Sequence, residues 1–525
     1  MKLLDIPPLP PSQIPSVIDR AAVRGDGLFE RAATNRQLFE SLLTSGGDER
    51  IAIDAATGRN RYGAPAGQAR DEIWFSSSTA SAISPRGYEA ALGAVRYLAA
   101  APAKWPVSGW FDRIRDRLAV LFGIPQAEVI LSSSGTELEL IALFLARTIQ
   151  HRPLSNVVLA PTETGRGVSL AAAGRHFLGT APFAAEVERG RLLDGLGETK
   201  VEIVEIRDRD GVPLPADRVD DAVVRSVKTI IARGDDVLLH LLDCSKTSRT
   251  GLRRATAAAL TAQYPGRLLV VVDACQLRCS REQMRADVDA GFMVMMTGSK
   301  FAGGPPFAGA LLLPAGIVER LRSAKLPNGL LAYTAANDWP LGPRGRLEGG
   351  FVTSANFGMG LRWEAALGEL ESLYALDSAL RARVMARFSE VVCRHVSSSS
   401  CVELVDRDHA DGNIRHPTIF PIVTCGENGM PLAADVMHRG LRNSFQAGGA
   451  AGRIFHVGQP VEIGSRSAVR VCLSAPGITE VGERMRAGQG FDSAFAPLAA
   501  DLADLFCKWS YVRDRWGAGD NSPGP

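Results

Sequence analysis

Three stretches of the chain bring together residue types that can do chemistry. In LSSSGTELELIALFLA, a strand-like run ends on Ser132, Ser133, Ser134, Gly135 and Thr136, and a helical pattern begins at once. Small residues at a helix N-terminus leave backbone N–H groups and hydroxyls free for a phosphate, although the same residues make an ordinary Ser/Thr cap with Glu in the first turn. In LLVVVDACQ, an apolar strand delivers Asp273 at its C-terminal end with Gln276 just beyond. Ligands of open α/β sheets gather at that edge, where an Asp also serves as a helix cap. In MVMMTGSKFAGGPPFAGALLLP, Lys300 follows a hydrophobic strand amid Thr297, Gly298 and Ser299, with Gly303, Gly304, Pro305 and Pro306 after it. These neighbours supply few ion-pair partners, and a desolvated lysine amine forms Schiff bases readily; the solvated loop lysine is the common alternative.

The order of the three adds information that none carries alone: phosphate turn, acid after a strand, then lysine, all in one region of alternating strand and helix patterns. In that order the sequence resembles the fold type I pyridoxal-phosphate (PLP) enzymes, in particular the class V aminotransferase and cysteine desulfurase group. SSSGTE resembles the phosphate-binding turn, VVDACQ the Asp-x-x-Gln element, and TGSKFAGGPPFAGALL the lysine loop. The resemblance implies PLP held as a Schiff base on Lys300, Asp273 at the ring nitrogen and Gln276 at the phenolic oxygen. It further implies a phosphate held by Ser134, Gly135 and Thr136 with Thr297 and Ser299, and Lys300 as the later carrier of the substrate proton.

Other positions follow from the same resemblance. PTETGRGV places Thr164 where the family carries a ring-stacking histidine, so a histidine does not stack there. HLLDCSKTSRTG falls where such enzymes put a polar residue near the cofactor oxygen, with Ser245 and Asp243 as candidates. EGGFVTSANFGMG resembles the segment through which a neighbouring subunit completes the phosphate site, with Thr353 as its hydroxyl, which implies a homodimer; a plain Gly/Ser/Thr loop is the alternative. GQPVEIGSRSAVRVCLSAPG resembles the strand whose arginine grips the substrate carboxylate, and Arg470 takes that place, implying an amino-acid or oxo-acid substrate. His456 is a contact or a loop residue.

Amino-group transfer on a carboxylate-bearing amine is the reaction expected from these words. A PLP lyase, either decarboxylase or desulfurase, is the alternative, and a non-catalytic PLP-binding protein the more distant one. A desulfurase needs a mobile nucleophilic cysteine, whereas the segment before the final strand, GQPVEIGSRSA, has none. Cys401 and Cys425 are the loop-like thiols, and Cys275 is a small packing residue beside the cofactor.

The elements that must position these residues are legible as patterns. Between about residues 110 and 320, short β-branched or leucine-rich runs (128–131, 156–159, 201–206, 236–241, 268–272, 292–296 and 310–313) alternate with helical segments, which predicts a mainly parallel sheet covered on both faces. The fold class is therefore α/β: a three-layer αβα large domain with a smaller α+β C-terminal domain. Residues 1–75 read as an arm or small-domain segment with a helical stretch over Val17 to Ala33, 76–345 as the large domain, and 346–395 as a connection with one long helix from Leu361 to Cys393. Residues 396–510 read as the small domain, with strands at 419–424 and 469–473, and 511–525 as a disordered tail. No repeat is visible.

Composition bounds the rest. Lys and Arg number 59 against 57 Asp and Glu with no long run of one sign, which argues against nucleic acid or a membrane surface as partner and for a small molecule. The eight cysteines are scattered without zinc or redox spacing, so reduced thiols and no metal are expected. The N-terminus has Pro and Asp where a signal peptide needs an apolar stretch, and no run approaches the roughly 18 apolar residues of a membrane span, so a cytoplasmic location is expected.

Overall fold

The computed structural model describes residues 27–100, 107–321, 324–344, 347, 350–405, 417–426, 429–446 and 448–517. The strands in chain order are β1 (Glu72–Phe75), β2 (Glu128–Ser132), β3 (Leu154–Leu159), a short ribbon of β4 (Thr180–Ala181) and β5 (Ala185–Glu186), β6 (Lys200–Val204), β7 (Asp236–Leu242), β8 (Leu268–Ala274), β9 (Met293–Thr297) and β10 (Gly309–Leu313). After two long helices come β11 (Val402–Leu404), β12 (Ile419–Thr424), β13 (Ile454–Ile463) and β14 (Arg466–Cys472).

The seven runs expected as strands in the large domain form one sheet of order β2-β10-β9-β8-β7-β3-β6. All neighbours are parallel except β10, which runs antiparallel between β2 and β9. Strands β3, β7, β9 and β10 are buried along their whole length, as strands covered on both faces must be. Alternate residues serve opposite layers: Val294 and Met296 join the core beneath one set of helices, while Met293 and Met295 join the core under the helix Gly135–Ile149. This is the three-layer α/β architecture read from the alternation.

The second sheet has the order β1-β13-β14-β12-β11. It is antiparallel except for β1, which pairs in parallel with β13, so a strand from the N-terminal segment completes a sheet otherwise built from the C-terminal region.

Two expectations are corrected. The single helix over 361–393 is two, Phe357–Tyr374 and Ser378–Ser397, because the Asp377 carboxylate accepts hydrogen bonds from the backbone N–H groups of Ala379 (2.8 Å) and Leu380 (3.3 Å) and starts a new helix. The tail expected from residue 511 is helical as far as Gly517, since the helix Phe491–Gly517 buries Trp509 and Val512. Of the helix expected over 17–33, a short one at Leu28–Thr34 is present and positions 17–26 lie outside the described residues, as do 518–525. Among the described residues no helix is long and apolar enough to cross a membrane.

The helix Phe357–Tyr374 is the base on which the lysine loop rests. A Cβ added to Gly298 would lie 2.6 Å from Ala366 Cβ and 3.1 Å from Trp363, so only glycine lets that backbone lie so close. Arg362 of the same helix is fully buried; its Nε donates to the Phe307 carbonyl (2.7 Å) and its Nη1 to those of Leu43 (2.8 Å) and Ser45 (2.7 Å). One guanidinium thus ties the lysine loop and the N-terminal segment to one helix. Replacing it by methionine (R362M) orphans three carbonyls and is expected to destabilise the chain by about 3 kcal/mol. Thermal unfolding and trypsin digestion measure this, with accelerated cleavage at Arg50, Arg59 and Arg61 expected; wild-type melting and digestion would contradict the anchoring role.

Candidate active site

The C-terminal ends of the parallel strands converge on a cavity of about 550 Å³ between the two sheets. Asp273 is near the end of β8, paired with Leu242 of β7 on one side and Met295 of β9 on the other. Lys300 lies on the loop after β9, and Ser134, Gly135 and Thr136 form the turn from β2 into the helix Gly135–Ile149. All of these line the cavity together with Thr164, Gln276, Thr297, Ser299 and, from β14 of the second sheet, Arg470. The cavity therefore collects ten of these residues, nine of them from the ends of large-sheet strands or the turns and loops that follow, and Arg470 from the second sheet.

The turn after β2 is narrow by necessity. A Cβ on Gly135 would lie 2.7 Å from Cys275 Sγ and 3.7 Å from Thr297. The Ser134 hydroxyl is engaged with the Glu137 carboxyl while accepting from the Thr136 N–H (3.2 Å) and from Arg50 Nη2 (3.2 Å). Burial pushes the Glu137 carboxyl up to about 7 despite Arg50 nearby. Arg50 is itself held by Asp48 (2.6 Å) and lies 4.8 Å from the Phe307 ring centroid.

Around Asp273 the electrostatics are set by burial. The Cys275 N–H donates to its carboxylate (3.0 Å). Beneath it Glu139 is fully buried, its carboxyl pushed well above the usual range by burial and by the charge of Asp273. Its Oε2 is 3.4 Å from Nδ1 of His240, an imidazole that burial pulls down to about 3. The pair is thus neutral. Gln276 donates from Nε2 to the Ser78 carbonyl (3.0 Å), and its buried Oε1 has no partner.

Arg470 is brought over the cavity by a joint between the sheets. Arg278, just past β8, donates to the Leu473 carbonyl (2.8 Å), Thr418 Oγ1 (2.8 Å) and Ser77 Oγ (2.9 Å). Nη2 of Arg470 donates to Thr79 Oγ1 (2.9 Å) and to the Gln459 carbonyl, whereas its buried Nε and Nη1 have no partner. Burial pulls this guanidinium down to about 10.

Several candidates depart from their expected roles. Ser245 does not line the cavity; its hydroxyl donates to Glu163 (2.8 Å) and accepts from the Thr247 N–H (3.1 Å), so it builds the turn after β7 instead of meeting a ligand. Asp243 is paired with Arg254 (2.7 Å) and does not line the cavity either. Thr297 lines it, but its hydroxyl donates to the Cys275 carbonyl (2.7 Å) and has no proton left for a phosphate. Thr353 is buried outside the cavity of its own chain. His456 is neither loop nor ligand contact: it lies in β13, stacked on Trp74 at 3.6 Å and bonded to Glu72 (2.8 Å). The thiols in the cavity are Cys244 and Cys275; burial pushes Cys244 up to about 12 and Cys275 well above its usual range, so both are protonated.

The sequence reading missed Arg50 and Tyr62 of the N-terminal segment, Ser78 and Thr79 after β1, Gln459 of β13, and Lys246. Lys246 had a signal: DCSKTS repeats the pattern of TGSKF, a lysine among small and hydroxylic residues after an apolar strand. Its backbone N–H donates to the Glu163 carbonyl (2.9 Å). Burial first, then Arg470, Lys300 and Arg166, pull its amine down to about 7.

No protein-family model and no curated sequence matches the chain. Solved structures do match. The cysteine desulfurase CsdA from Escherichia coli is 14% identical, with 85% of this chain and 95% of that one covered and a TM-score of 0.53. Alanine–glyoxylate aminotransferase from Nostoc sp. is 14% identical over 85% and 96% of the two chains (TM-score 0.52). Tryptophan decarboxylase from Catharanthus roseus, solved with L-tryptophan, is 11% identical over 85% and 83% (TM-score 0.51).

The chain has the fold of the fold type I pyridoxal-phosphate enzymes. Within that fold its lysines can be told apart chemically. A surface lysine titrates near ~10.4, whereas Lys246 loses its proton near 7, so above neutral pH it is the far better nucleophile. Brief acetic anhydride treatment of the cofactor-free protein at about pH 8, followed by peptide mass mapping, is expected to acetylate Lys246 at least ~10-fold faster than surface lysines. Uniform labelling would refute the lowered affinity for its proton.

Proposed function

We propose that the chain is a PLP-dependent enzyme acting on an amino acid or related carboxylate-bearing amine, with amino-group transfer as its reaction. The observation that carries this reading is the meeting of Lys300 and Asp273, from the ends of neighbouring strands, in one cavity closed by the turn at Gly135. The residues present fit the cofactor. The N-terminus of the helix Gly135–Ile149 lines the cavity and favours the charge of a phosphate. The orphaned Gln276 Oε1 suits a phenolic O–H.

Bound there, PLP supplies an electron sink for whichever bond to the substrate α-carbon is broken. Lys300 Nζ would hold the cofactor and, once free, would move the proton at the substrate α-carbon. Asp273 would hold a proton on the ring nitrogen, beside the neutral Glu139–His240 pair. Arg470 has unpartnered donors at Nε and Nη1 and would hold the substrate carboxylate, which would fix the α-carbon relative to Lys300. Ser134, Gly135, Thr136 and Ser299 line the part of the cavity that would take the phosphate, and Thr164 lines the same cavity and would neighbour the ring. Thr353 is assigned to the phosphate of a partner subunit in a homodimer. The protonated state of the two cavity thiols favours transfer over desulfuration, which needs a thiolate.

Protein incubated with PLP is expected to turn yellow, and borohydride reduction should fix the cofactor to the peptide bearing Lys300. K300A should lose that label. D273N should retain it while turnover falls by about 100-fold or more. Colourless protein, or label on another lysine, would remove the basis of the assignment. In an amino-acid screen, the amino group should appear on an added oxo acid; carbon dioxide or sulfide without transfer would make the enzyme a lyase.

A further inference from the structure

The charge balance of the cavity is uneven. Its acids are already engaged: Glu49 faces Arg61 (3.6 Å), Glu163 pairs with Arg207 (2.5 Å), Glu139 is neutral, and Asp273 is assigned to the cofactor. Arg50 is answered by Asp48. Lys300 is assigned to the cofactor, and the exposed Arg189 donates to the Phe177 carbonyl; Lys246, from the turn after β7, and Arg470, from β14, line the same cavity, and neither is paired with an acid among the described residues. Arg166, exposed at its mouth, has no acid partner among them either. Uncompensated cations in a largely enclosed site favour an anion that brings its own charge.

We propose that Lys246, with Arg166 at the rim, forms a second anion subsite, so that the substrate is an amino acid whose side chain carries its own carboxylate or phosphate. This rests on the assignment of Arg470 to the α-carboxylate. Arg470 keeps unpartnered Nε and Nη1 donors on two edges of its guanidinium, enough to meet one carboxylate, which leaves Lys246 for a second anionic group. Lys246 is a point charge on a flexible stem, suited to a terminal group of varied geometry. The Glu163 carboxylate is kept from it by Arg207, Ser245 and Thr247, which leaves the amine open to a ligand.

The test is calorimetric titration of the PLP-loaded protein with unreactive acids: butyrate with one charge, glutarate with two carboxylates, and 3-phosphonopropionate with a carboxylate and a phosphonate. Wild type is expected to bind at least one diacid about tenfold or more tightly than butyrate, and the preferred diacid identifies the terminal group. K246M should bring the diacids within about twofold of butyrate while leaving butyrate unchanged, and K246R should keep the preference. Circular dichroism of each variant separates misfolding from loss of the subsite. Equal binding of mono- and diacids by wild type overturns the inference. So does a K246M that weakens butyrate as much as glutarate, since Lys246 then shares the α-carboxylate with Arg470. Failure of the cofactor assignment is read separately, as absence of colour with PLP, and the same titration on the cofactor-free chain then decides the subsite alone.

Discussion

Backbone laid against backbone is the constraint from which the rest of the site follows. The loop carrying Lys300 lies on the helix Phe357–Tyr374 at separations that a side chain at Gly298 or Gly304 would prevent. Trp363 donates to the Gly309 carbonyl (3.1 Å) and Arg362 to that of Phe307, so the C-terminal end of the loop is held by neighbouring residues of one helical turn. Phe307 adopts φ +76°, a left-handed conformation unfavourable for an aromatic residue, and its ring lies under Arg50. The loop is over-determined, and the lysine it presents is positioned by the fold and not by its own contacts.

A second layer of order comes from arginines that donate to carbonyls instead of to acids. Arg362 joins the lysine loop to the N-terminal segment, and Arg278 joins the large sheet to the small one through Leu473, Thr418 and Ser77. Each guanidinium reaches several chain segments at once because its donors form a planar fork. The cavity is thereby built from three distant parts of the sequence while its walls stay fixed relative to one another.

Much of this was legible in the residues. The large sheet followed from apolar runs of strand length alternating with helical patterns, and the edge that lines the cavity from small or polar residues at or just after the ends of those runs. What escaped the sequence had no local grammar. The break at Asp377 interrupts a continuous apolar periodicity with only an Asp-Ser cap to mark it. Ser245 was chosen as a hydroxyl after a strand, yet Glu163, far away in sequence, draws it into a turn and leaves Lys246 facing the cavity. Arg50 and Thr79 reach the site through long-range packing, which no motif encodes.

The pairing of β1 with β13 has a consequence for how the protein is made. Glu72 meets His456 across 384 residues of sequence, in a parallel register that closes the second sheet. During synthesis from the N-terminus, the strand at Glu72–Phe75 must wait with its backbone unpaired while nearly the whole large domain emerges and folds. The cavity wall that this segment supplies, Ser78 and Thr79 included, therefore meets its partner strand only once β13 has been made.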